Sequence, residues 1–123
     1  MAKEYYVYVG QLSKEFAKSS KAKKKNNNIN PKYNFGLYVG YSSKPPRERW
    51  NQHLKKAKSK KGLKLFSKVA ADWGENYIHW KKFQKYNPIK SENKAKELER
   101  IIAIKYRDKG YAVWSDRIPY LNK

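Results

Sequence analysis

Tyr38, Arg49 and His53 fall within one short stretch, residues 36–53, that reads GLYVGYSSKPPRERWNQH. Their types suit work on a phosphodiester. Arginine neutralises phosphate charge through forked donors, and histidine can relay a proton or hold a phosphate oxygen. A tyrosine between two glycines, Gly36 and Gly40, has bare backbone beside it that a ligand can approach. Tyr8, within YYVYVG, offers a second phenol, and Glu99, within AKELER, a carboxylate. Such a carboxylate can hold one divalent cation, with water and phosphate completing the shell. Taken singly, each residue has a plainer use. Strand tyrosines pack, an arginine at a stripe's edge reaches water, and a glutamate can salt-bridge at the rim of a core.

The surrounding pattern predicts the elements that must hold these groups. Residues 5–10 and 35–41 alternate as strands, and the two could pair with Tyr8 and Tyr38 facing the same side. Ser42 and Ser43 supply N-cap oxygens and Pro45-Pro46 suit a first helical turn. On the helix that follows, Trp50, Leu54 and Ala57 form a buried stripe, with Arg49 and His53 one turn apart along its edge. Residues 63–73 read as a helix closed by Gly74, and residues 77–83 as a third strand with His79 as a polar strand residue. Asn87-Pro88 marks a turn. Ser91 then caps a long helix that runs to about residue 109 and ends at Gly110. Ala95, Leu98, Ile102 and Tyr106 are its apolar arc, and Glu99 falls inside that arc. A carboxylate on a core-facing stripe is costly unless it is paired or holds a metal. Residues 111–114 suit a short final strand, and the tail with Pro119 a surface course.

Thirty Lys and Arg against ten Asp and Glu leave a net charge of +20 over 123 residues. Such a surface repels itself unless it meets a polyanion, which makes nucleic acid the first partner to consider. An anionic membrane is the rival, but no basic amphipathic helix with an exposed apolar face appears. The length suits one domain spanning residues 1–123. Residues 18–32, KSSKAKKKNNNINPK, have almost nothing to bury and read as a mobile Lys/Asn-rich insertion, a contact arm for phosphates. No apolar run is long enough for a membrane helix and no signal peptide opens the chain. Cysteine is absent, which excludes disulfides and thiolate zinc sites and makes a cytoplasmic address the expectation.

In this order the residues resemble the GIY-YIG nuclease family. Val7-Tyr8 within YVYVG matches the first signature and Tyr38-Val39-Gly40 the second, followed by Arg49, His53 and Glu99. The resemblance implies a small α/β domain in which helices flank a three-stranded antiparallel sheet. It implies metal-dependent hydrolysis of DNA, double-stranded for preference, with Mg2+ or Mn2+ held by Glu99. By the family's pattern one tyrosine assists the attacking water and the arginine stabilises charge on the phosphorane. The chain departs from that pattern in places. Tyr6 stands where the family name has glycine, and the spacing leaves Arg47 as an alternative to Arg49. Trp114-Ser115-Asp116 stands where many members carry an asparagine, a role that Ser115 could take. No second DNA-binding domain is visible, so a homodimer or a targeting partner is a further expectation. The rival readings are a nucleic-acid-binding module that kept the fold and lost turnover, and a ribosome-associated basic protein.

Overall fold

The computed structural model describes residues 3–26 and 28–116. Its centre is an antiparallel pair, β1 (Tyr6–Leu12) and β2 (Gly36–Ser42), in which Tyr8 lies opposite Gly40 and Tyr38 opposite Gly10. That register puts both tyrosines on one face, as their spacing predicts. β3 (Gly74–Ile78) pairs antiparallel with the outer side of β1, and β4 (Ala112–Trp114) pairs parallel with β2. The sheet order is therefore β3-β1-β2-β4. The α/β class expected from the sequence holds, while among the described residues the sheet has four strands where the family resemblance implies three. The fourth is the short final strand that residues 111–114 suit, formed over Ala112–Trp114 after the long helix.

Among the described residues five helices flank this sheet: α1 (Lys14–Lys18), α2 (Ser20–Lys25), α3 (Pro46–Leu54), α4 (Lys68–Trp73) and α5 (Glu92–Asp108). The Ser91 hydroxyl accepts from the Lys94 N–H to start α5, and Gly110 at φ 101° follows its end, as expected. Ala95, Glu99, Ile102, Ala103 and Tyr106 are its buried residues. The start of α3 differs from expectation. Its N-cap position is Pro45, without a side-chain cap, while the Ser42 hydroxyl accepts from the Lys44 N–H in the turn before it. Ala57 lies past the helix end.

Two other segments depart from the periodicity. The helix expected over residues 63–73 forms only from Lys68, because Ser67 caps it by accepting from the Ala70 N–H. The residues before it make a looped excursion in which the Leu65 N–H donates to the Ala57 carbonyl and Lys58 pairs with Lys64. The third strand lies at Gly74–Ile78 rather than 77–83, since Gly74 directly follows α4. After His79, whose N–H still donates to the Val9 carbonyl, the chain leaves the sheet in two 3-10 turns.

The lysine-rich stretch is the largest departure. Ser13 and Ser19 cap α1 and α2, and Ala22, Lys25 and Asn26 are buried. The Lys25 ammonium sits 3.8 Å from the Trp114 ring centroid and donates to the Ser115 carbonyl at 3.2 Å. The Asn26 side chain donates to the Ala22 and Val113 carbonyls and accepts from the Val113 N–H, lying along β4 like a further strand residue. A run with almost nothing apolar of its own is thus tied down through partners some 90 residues away along the chain.

The protein's own side chains take the space beside the two glycines flanking Tyr38, although Gly40 still borders a cavity. A Cβ on Gly40 would fall 2.5 Å from the Tyr8 hydroxyl, and one on Gly36 2.6 Å from the Phe16 ring. Side chains of the protein fill the bare strand. Gly10 serves the same end for Trp50, the fully buried tryptophan of α3, whose ring lies where that Cβ would be at 2.5 Å. The Trp50 indole N–H donates to the Glu75 carbonyl at 2.8 Å, fixing α3 between β1 and β3. Gly10→Ala should therefore destabilise the fold by about 1–3 kcal/mol through overpacking. Urea unfolding of Gly10→Ala, Trp50→Phe and the double variant should show coupling, with the alanine costing less once the indole is gone.

Candidate active site

His53 is the hub of the site and is 1% exposed. Its Nδ1 accepts from the backbone N–H of Ser67 at 2.8 Å. A peptide N–H can only donate, so Nδ1 carries no proton. Burial, with the Arg49 charge second, lowers the His53 pKa to about 3, opposed by Asp116. The ring is thus neutral near pH 7, and its single proton sits on Nε2. Nε2 lies 2.8 Å from the Tyr8 hydroxyl oxygen and donates to it. Tyr8 accepts that bond and turns its own O–H elsewhere.

Tyr38 has the opposite polarity. Its ring lies 6.1 Å from that of Tyr8 with a 27° interplanar angle, and its hydroxyl donates to the Asp116 carboxylate at 2.8 Å. Asp116 also accepts from the Trp114 indole at 2.8 Å and the Ser67 hydroxyl at 3.3 Å. Burial raises both phenol pKa values well above the usual range. For Tyr38, Tyr8 and Asp116 add to the rise. For Tyr8, Arg49 opposes it while Glu99 and Asp116 add to it. Both phenols are neutral. One receives a hydrogen bond from histidine, and the other gives one to carboxylate.

Arg49 and the tyrosines open onto one cavity of about 620 Å³, lined also by Gln52, Lys64 and Asp116. One guanidinium nitrogen is anchored by the Gln52 side-chain oxygen at 3.0 Å and by the Leu65 carbonyl. Arg47, the alternative by spacing, donates to Asn76 at 2.8 Å and does not line this cavity. Among the described residues, His53 and Glu99 do not line it either. His53 stands behind Tyr8. Glu99, 2% exposed on α5, is near enough for its charge to raise the Tyr8 pKa.

Two participants escape a reading of the sequence. Asp116 occupies the place considered for Ser115, whose hydroxyl is buried and without a hydrogen-bond partner among the described residues. Ser67 supplies its N–H to His53 and its hydroxyl to Asp116 while capping α4. A cap before a short helix was the only signal for Ser67, and none marked Asp116. Among the described residues no three His, Asp or Glu side chains cluster in a way that would hold a metal by themselves.

Comparison with family models matches residues 26–112 to the GIY-YIG catalytic domain. Comparison with curated proteins and with solved structures finds no significant match. The matched stretch holds Tyr38, Arg49, His53 and Glu99. Tyr8 and Asp116 lie outside it and join the same site through the sheet.

The two histidines, the only ones in the chain, are both held neutral. Burial, aided by Lys82, lowers the His79 pKa to about 4. Both folded-state values lie below the ordinary 6.5, so the unfolded chain binds the extra protons. Stability should be full above about pH 6.5 and fall as pH drops toward these values. Melting temperatures between pH 7 and 4.5 should fall steeply for the wild type, less for His53→Gln, and least for the double variant with His79→Gln.

Proposed function

From the premise that this chain belongs to the GIY-YIG catalytic-domain family, we propose that it is a metal-dependent endonuclease that hydrolyses DNA phosphodiester bonds. The observation that carries this reading is the convergence of Tyr8, Tyr38, Arg49 and Asp116 on one cavity of a chain with net charge +20. Excess positive charge holds a polyanion wherever it touches, whereas binding alone has no need of two oppositely polarised phenols beside an anchored arginine.

In this reading Arg49 receives the scissile phosphate. Its bonds to Gln52 and Leu65 fix the plane of the guanidinium, so the remaining N–H groups meet phosphate oxygens without reorganising. Tyr38 handles the attacking water. Its hydrogen already points to Asp116, which leaves a lone pair on its oxygen to receive a hydrogen bond from that water. As the water oxygen bonds to phosphorus and the bond from phosphorus to the departing oxygen breaks, the water proton passes to the Tyr38 oxygen and the Tyr38 proton to Asp116, while the departing oxygen leaves with the bonding pair and takes a proton from solvent. No phenolate forms, so the high phenol pKa is no obstacle. Tyr8, receiving from His53, directs its own hydrogen to a phosphate oxygen on which charge grows.

A divalent cation takes hard oxygen donors, and Glu99, near enough to Tyr8 for its charge to be felt there although it is not on the cavity wall, is the carboxylate that would hold it, with water and phosphate supplying the rest. When bound it would stabilise charge on the phosphate and on the departing oxygen. The second reading, a binding module without turnover, is favoured by one observation: among the described residues no cluster of metal ligands forms and Glu99 does not line the cavity.

Two substitutions separate these readings. Asp116→Asn keeps an acceptor for Tyr38 yet takes no proton, and nicking of supercoiled plasmid in magnesium should fall roughly 100-fold or more. Glu99→Gln should abolish nicking, with metal-free DNA affinity equal or slightly higher and little change in melting temperature. A destabilised Glu99→Gln protein whose folded fraction still cuts would return Glu99 to a structural role. Wild type that binds plasmid and never nicks it, with either metal, would leave the binding module.

A further inference from the structure

Away from the tyrosine cavity, the bend that leaves β3 encloses a second one of about 380 Å³, lined by Tyr77, Ile78, His79, Trp80, Lys81 and Lys82. Its rings are unusually accessible: Tyr77 is 55% exposed and Trp80 40%. Each is also braced. Tyr77 meets the edge of His79 at 4.8 Å, His79 stacks on Phe35 at 5.3 Å, and Trp80 leans on the buried Phe83 at 5.3 Å. The His79 imidazole is further fixed by Gln11 at 2.9 Å. The rings are thus held in place on one side and open on the other. Lysine flanks them, and among the described residues no carboxylate lines the cavity. The strand that carries Tyr77 and precedes Trp80 is tied to the helix that carries Arg49, through Arg47 to Asn76 and Trp50 to Glu75, each at 2.8 Å.

We propose that Tyr77 and Trp80 form a stacking platform for unpaired nucleotides, with Lys81 and Lys82 meeting the phosphates, so that the protein prefers DNA bearing a single-stranded segment. The inference rests on the reading that nucleic acid is the partner. Every base presents a π-face, while a duplex hides its faces, so braced open rings beside lysines discriminate strandedness and not sequence. A second copy of this chain fits the surface less well, because it would bring another +20 against a lysine-flanked edge.

The test uses the full chain in chelator and two fluorescent probes: a blunt duplex, and the same duplex with a short unpaired tail. Wild type should bind the tailed probe more tightly. Tyr77→Ala with Trp80→Ala should lose roughly 5- to 100-fold on the tail and keep its blunt-duplex affinity. Its log–log salt slope should not change, whereas Lys81→Ala should flatten the slope on the tailed probe by about 0.7. Tyr77→Phe with Trp80→Phe should restore the preference and so control for folding. Equal binding of both probes by wild type, or a tail preference that survives loss of both rings, overturns the platform. Failure to bind either probe would instead remove the nucleic-acid reading itself. A wild-type dimer in sedimentation that the double alanine variant dissociates would assign the surface to a second copy.

Discussion

The hydrogen bond from the Ser67 N–H to His53 Nδ1 sets the polarity of everything around it. It fixes which imidazole nitrogen is bare, burial keeps the ring neutral, and Nε2 is left to donate to Tyr8. Had Nδ1 faced a carbonyl, Nε2 would have been the acceptor, and Tyr8 would have spent its hydrogen inward. A backbone donor is also a durable means of choosing a tautomer, since no side-chain substitution short of proline removes it. Ser67 can provide it because the chain turns there into α4, so the cap of a six-residue helix and the protonation pattern of the site depend on the same residue.

The same economy runs through the packing. Gly10, Gly36 and Gly40 give up side chains, and the space is taken by Trp50, Phe16 and Tyr8. The tyrosine face of the sheet is consequently a crowded aromatic layer in which Tyr8, Tyr38, Trp50 and His53 lie 5.2 to 6.3 Å apart between ring centroids. Polar atoms occur in this layer only where a partner meets them, as buried polar groups require.

Much of this was legible because it depends on short-range pattern. The period of two around Tyr8 and Tyr38, the one-turn spacing of Arg49 and His53, and Ser91 ahead of the long apolar arc each act within a few residues. Nothing near Lys25 in the chain marks it as anchored, because its partners, Trp114 and Ser115, come from the far end of the chain. Asp116 was passed over because the parallel pairing of β4 with β2 is what brings it beside Tyr38. The extra helical turn assigned to residues 63–67 followed a real apolar period that the Ser67 cap overrode.

Asn26 has a consequence beyond the anchoring of α2. β4 ends the sheet on its side, and an end strand with free N–H and C=O groups is a template on which another chain can add itself. The Asn26 amide answers both groups of Val113, so the peptide that a passing chain would have to pair with is already occupied. A carboxamide suits this use because it donates and accepts side by side, as a peptide does. Lysines crowded around the same corner would repel another copy before it came close. A chain this rich in aromatic residues thereby keeps one border of its sheet closed to runaway strand addition, the first step toward fibrils.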